Sequence, residues 1–154
     1  MSDNKIKTAY LSDAALDWAV AVCEGRTVRY DPMGVRKYAP QSKPAGYWIW
    51  EETPSGQGGV ILSKSIYMLI GGAYSPSTKW EQGGPIIANH SINLVNPTFG
   101  CFDTEQPWAA MIRSEDNNEV FGYGPTALIA AMRCYVSSKL GDAVNAPDGL
   151  RQQS

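Results

Sequence analysis

Histidine is nearly absent: His90 is the single one in the chain. A metal site built on several imidazoles is therefore excluded, because zinc sites draw on clusters of His and Cys ligands. Cysteine is scarce as well. Cys23, Cys101 and Cys134 are odd in number and far apart, which argues against a disulfide framework. Cys23 and Cys134 fall on apolar faces of helical patterns, so free, buried thiols in a reducing compartment are expected. No charge of one sign dominates either. Thirteen Lys and Arg stand against fifteen Asp and Glu, a net charge of −2. Arg26, Arg29, Arg36, Lys37 and Lys43 form only short, interrupted basic groups, so the concentrated basic face of a nucleic-acid binder is missing. No apolar run approaches the roughly 20 residues that a membrane span needs. Residues 1–8 are polar and lack the apolar core of a signal peptide. A cytosolic protein that engages neither membrane nor nucleic acid is expected.

What is present suits one compact domain, with 44% hydrophobic residues in a chain of 154. A helix is predicted over 12–25. Ser12 is placed to cap it, Asp13 complements its positive end, and Gly25 suits the left-handed position after its last turn. Ala15, Leu16, Ala19, Val22 and Cys23 recur at helical spacing, and Leu11 is placed to pack back onto Ala15 or Leu16. A second helix is predicted over 125–140, opened by Pro125 and closed by Gly141. Leu128, Ile129, Met132, Tyr135, Val136 and Leu140 give it a wide apolar stripe, with Lys139 in the last turn. Between the helices, short extended runs at 47–51, 59–63, 67–70, 92–95, 108–112 and 120–123 read as strands. Asp116-Asn-Asn118 reads as a hairpin turn. The expected fold is α+β, a small antiparallel sheet packed against two main helices, about 12–25 and 125–140. Residues 1–144 form the domain and the polar stretch 145–154 is a loose tail.

The most informative stretch is Tyr74-Ser-Pro-Ser-Thr-Lys-Trp-Glu-Gln-Gly-Gly-Pro-Ile-Ile87. It has no helical or strand period before Ile86 and reads as a loop. Ser75, Ser77 and Thr78 are short hydroxyl groups beside Gly83, Gly84 and Pro85, where a backbone can approach closely. Tyr74 and Trp80 offer flat faces for stacking on a planar ligand. The plainer reading is a structural loop whose hydroxyls cap turns and whose Trp80 fills the core. Gly122-Tyr-Gly-Pro-Thr126 opens the second helix, and a helix N-terminus with free N–H groups favours an anion. No Lys follows in the spacing of a phosphate-binding P-loop, and an ordinary capped helix start is the plainer alternative.

The run YSPST-x-W-x-QGGPII and the downstream GPT-x-LIAAMRCYV-x-SKLGD resemble the signature of the NinX-like family of tailed-phage accessory proteins. The opening LSDAALDWAVAVCEG is similar to the start of that family. The resemblance implies a phage protein in the cytoplasm of an infected host. It implies a context and not an activity, and it leaves 28–72 as a family-variable insertion.

Catalytic machinery is thin. No serine stands in a G-x-S-x-G elbow, and helical, apolar-faced cysteines make poor partners for His90. No enzyme activity, cofactor or metal is expected. The leading expectation is binding of a small, phosphate-bearing, nucleotide-like ligand by a homo-oligomer, sequestering a host immune nucleotide signal as an anti-defence sponge. Its site would comprise Tyr74, Ser75, Ser77, Thr78, Trp80, Gly83, Gly84, Pro85, Trp108, Gly124, Thr126 and Arg133. The alternative is a protein-interaction module acting on a host protein, with Trp48 and Trp50 sharing one strand face as its contact surface.

Overall fold

A computed structural model describes residues 5–31, 46–51, 66–95, 106–147 and 150. The strand expected at 59–63 and Cys101 lie outside these. The fold is α+β, with three α-helices and three small antiparallel sheets among the described residues. None of these helices is long and apolar enough to cross a membrane.

The organising element is the last helix, α3 (Ala127–Leu140). Leu128, Met132, Tyr135 and Val136 are buried as the stripe requires, yet Ala130, Ala131 and Cys134 are buried too. The helix is covered on several sides because strands and another helix share it. One cover is the sheet of β5 (Asn93–Val95), β6 (Trp108–Arg113) and β7 (Glu119–Gly124), ordered β5-β6-β7. Alternation along β7 explains the fit. Gly122 and Gly124 face α3 so closely that a Cβ on Gly122 would lie 2.5 Å from the Cys134 amide nitrogen, and one on Gly124 2.8 Å from that of Ala130. Phe121 and Tyr123 between and beside them remain half exposed. β6 and β7 join through a tight turn in which Asn117 takes φ 67°, the left-handed conformation that Asn tolerates.

On the other side of α3 lies α1 (Asp13–Cys23), with Ser12 at its N-cap and Gly25 at φ 73° just past its end. Leu11, Leu16, Ala19 and Val20 join Met132, Tyr135 and Val136 in the large core. Ala21 turns toward a smaller core with Ile49, Ile70 and Tyr74, and half-buried Trp18 packs against both. That smaller core sits under a second sheet of β2 (Val28–Asp31), β3 (Gly46–Glu51) and β4 (Ile66–Leu69), ordered β2-β3-β4. A forked Arg26–Glu51 pair, 2.7 and 2.9 Å, ties the end of α1 to β3. Two further strands, β1 (Ile6–Lys7) and β8 (Ala143–Val144), pair Ile6 with Val144 and bring residues near both ends of the chain together.

Three expectations are corrected. The 74–87 stretch is not all loop, because α2 runs Trp80–Asn89 and takes in Gly83, Gly84 and Pro85. Glycine and proline are weak helix formers, but Gly83 is needed where α2 crosses the preceding turn: its Cβ would lie 2.4 Å from the Pro76 carbonyl oxygen. Packing outweighs propensity there. The second predicted helix begins at Ala127 with Thr126 as its cap, leaving Pro125 outside. Trp48 is not a surface residue, being only 5% exposed.

Candidate functional site

Residues 74–79 form a turn braced from within by a residue on α1. Asp17 is 1% exposed. Its Oδ2 accepts the Ser75 hydroxyl at 2.8 Å and its Oδ1 accepts the Ser77 amide at 2.9 Å. Burial pushes the Asp17 carboxyl above its ordinary 3.8, with the Ser77 and Ser75 hydrogen bonds opposing the shift. Gln82 braces the turn from α2: the Ser75 amide donates to its Oε1 at 2.6 Å, and its Nε2 donates to the Ala73 carbonyl at 2.7 Å. Tyr74 is 4% exposed in the small core, with the Arg26 guanidinium 5.7 Å from its ring centroid. Tyr74 and Ser75 therefore build the site instead of facing it.

Each hydroxyl of the turn has one proton to give. An ionised Asp17 only accepts, so Ser75 spends its one proton there. Ser75 Oγ lies 2.7 Å from Thr78 Oγ1, and Thr78 must be the donor of that bond. Exposed Thr78 then presents lone pairs outward, not a proton. The Ser77 hydroxyl is buried as well, and it too acts on the Asp17 carboxylate, helping to lower its pKa.

Ser77, Thr78 and Trp80 line a cleft of about 220 Å³ together with Thr126, Ala127, Leu128 and Ile129. Its floor is the N-terminus of α3. Thr126 Oγ1 accepts the Ile129 amide at 3.1 Å, and the Thr126 carbonyl accepts the Ala130 amide. The Ala127 and Leu128 amides have no acceptor among the described residues, as the first turn of a helix leaves them. These two N–H groups, at the positive end of the helix, belong to residues that line the hollow, with Ser77 and Thr78 on its wall. Trp80 is 56% exposed beside it, a free indole face and not a core plug.

The family model described as bacteriophage P22 NinX matches residues 7–139. The chain belongs to the NinX family. The matched range takes in α1, α2 and the bracing turn and reaches the last turn of α3. Among curated proteins none matches the chain.

In this NinX-family chain the structure brings together four of the residues singled out from sequence: Ser77, Thr78, Trp80 and Thr126. The others stand elsewhere. Gly83 is buried against Pro76 and Leu128, and Gly84 and Pro85 lie further along α2. Gly124 is buried against α3, and half-buried Trp108 packs on the large core. Arg133 lines a different cleft, and it is no solvated helix residue at 6% exposure. Sequence reading missed Asp17 and Gln82. The signal for Asp17 was a carboxylate at the same helical spacing as buried Ala21. Both cysteines of the described residues are free, and burial pushes each thiol up to about 12, which makes them poor nucleophiles.

Proposed function

We propose that this phage protein binds a small phosphate-bearing, nucleotide-like ligand and holds it without turning it over. The observation that carries the reading is the convergence of Ser77, Thr78 and exposed Trp80 with Thr126 and the first amides of α3 on one cleft. A phosphate oxygen suits the Ala127 and Leu128 amides at the positive end of α3. A base suits the Trp80 face, and an amino group on it suits the outward lone pairs of Thr78. Thr78 is thus a reader of ligand donors, which separates a nucleotide from free phosphate.

At about 220 Å³ the cleft is smaller than the roughly 300–1,000 Å³ usual for ligand pockets. Enclosure by a second copy of the chain is the natural complement, which supports a homo-oligomer. In the cytoplasm of an infected host, a protein that holds a nucleotide without turning it over is suited to sequester an immune nucleotide signal. Calorimetry against cyclic and ADP-ribose-derived nucleotides is the test. One member of the panel should bind below millimolar and be recovered intact. Absence of binding across the panel would falsify the reading.

The alternative of a host-protein interaction module has less support, because buried Trp48 leaves only Trp50 of that pair near the surface. A stoichiometric partner retained from infected lysate by a Trp80→Ala variant, but not by a Trp50→Ala variant, would revive it.

A further inference from the structure

The larger hollow of about 460 Å³ lies between β7, the middle of α3 and the segment after β1. Arg133 lines it, and its guanidinium is committed to neutral acceptors. Nε donates to the Leu11 carbonyl at 2.8 Å, and Nη1 donates to Gln106 Oε1 and the Tyr123 carbonyl, each at 2.8 Å. The two N–H groups of Nη2 have no acceptor among the described residues, and no carboxylate there lies within ion-pair distance of the guanidinium. A cation 6% exposed without a counter-charge is costly, and proteins keep such groups paired or use them. Lys7 and Ser137 share the lining, with Asp142 as the one carboxylate. Phe121 and Tyr123 complete it. Their rings lie 6.5 Å apart, within 14° of parallel, and each is about half exposed at 50% and 52%.

We infer that this hollow is a second binding site, sharing no residue with the Trp80 cleft, for a singly charged oxyanion carried on a planar ring. Arg133 Nη2 and Lys7 hold the oxyanion, and the ring lies along Phe121 and Tyr123. Two cations against Asp142 leave one net positive charge, which favours a monoanion over a polyphosphate. A ring carboxylate and a cyclic mononucleotide phosphodiester both have this chemistry. The site stands or falls independently of the nucleotide reading above.

The test is calorimetry of the full chain with 2-naphthoate, with 3′,5′-cyclic AMP and with inorganic pyrophosphate. One or both ring-bearing monoanions should bind below millimolar, and pyrophosphate at least tenfold more weakly. Which of the two binds distinguishes the sources. Tyr123→Ser and Lys7→Glu, both at exposed positions that leave the core intact, should each weaken binding about fivefold or more, and Trp80→Ala should leave binding of 2-naphthoate, which is no nucleotide, unchanged. Arg133→Gln should abolish it, but it also loses bonds that hold Leu11 and Tyr123, so the two exposed variants decide. Failure of both monoanions to bind overturns the inference. So does binding that is lost with Trp80→Ala and kept with Tyr123→Ser.

Discussion

Adjacent glycines in α2 give the sharpest contrast between single residues. Gly83→Ala should cost about 2 kcal/mol, because overpacking of this kind typically costs 1–3 and the new Cβ would lie 2.4 Å from the Pro76 oxygen. Gly84→Ala meets nothing within 4 Å and should gain up to about 1 kcal/mol from helix propensity alone. Urea unfolding of the two variants reads the difference, and equal effects would remove the close-approach explanation. Asp17 and Glu51 give opposite pH signatures. Burial raises the Asp17 pKa, so the folded state holds this proton more tightly. Its contribution is fully present below 3.8 and is lost as pH rises through the raised value. The hydrogen bond from Arg26 holds Glu51 below its ordinary 4.5. Its stabilisation is present above 4.5 and lost as pH falls through the lowered value; as Glu51 is partly exposed, the effect is small. Relative to Asp17→Asn the unaltered protein should lose stability with rising pH, and relative to Glu51→Gln it should lose stability with falling pH. Denaturant midpoints between pH 3 and pH 8 would test both signs.

The elements were legible where period and caps agreed. Both predicted helices are present within about two residues of their boundaries, and five of the predicted strand runs overlap observed strands. The longest element not anticipated among the described residues was α2, because its Gly-Gly-Pro run argues locally for a turn. Only tertiary contact, α2 crossing the 74–79 turn at Gly83, makes the helix preferable. The short β2 strand was likewise invisible: its Val28 and Tyr30 are stabilised by pairing with β3, information that local patterning does not carry. The candidate cleft was half legible. Hydroxyls, Trp80 and a helix start could be named from sequence, but that buried Asp17 takes the Ser75 hydroxyl and the Ser77 amide is a long-range fact. At the element scale, Thr126→Ala should destabilise α3 by about 1 kcal/mol. Thr126→Ser should restore most of that loss, since the side-chain acceptor for the Ile129 amide is retained.

For the molecule as a whole, α3 stands between the covering elements, so opening its face toward β7 requires much of the fold to come apart. Cys134, fully buried on that helix, is a built-in reporter. Burial pushes its thiol up to about 12, so alkylation followed by peptide mapping should be negligible in the folded protein and should rise in step with global unfolding in urea. Labelling of Cys134 well before the unfolding transition would contradict this arrangement. The larger claim is that the turn braced by Asp17 and the start of α3 together form a nucleotide site. It is tested most directly by calorimetric titration of the unaltered protein, Trp80→Ala and Thr78→Ala against the same nucleotide panel. The expected result is sub-millimolar binding of one nucleotide, weakened about tenfold by Trp80→Ala, in line with the 1–3 kcal/mol typical of base stacking on an aromatic ring, and weakened also by Thr78→Ala. Affinity unchanged in both variants, or no affinity in the unaltered protein, would contradict it.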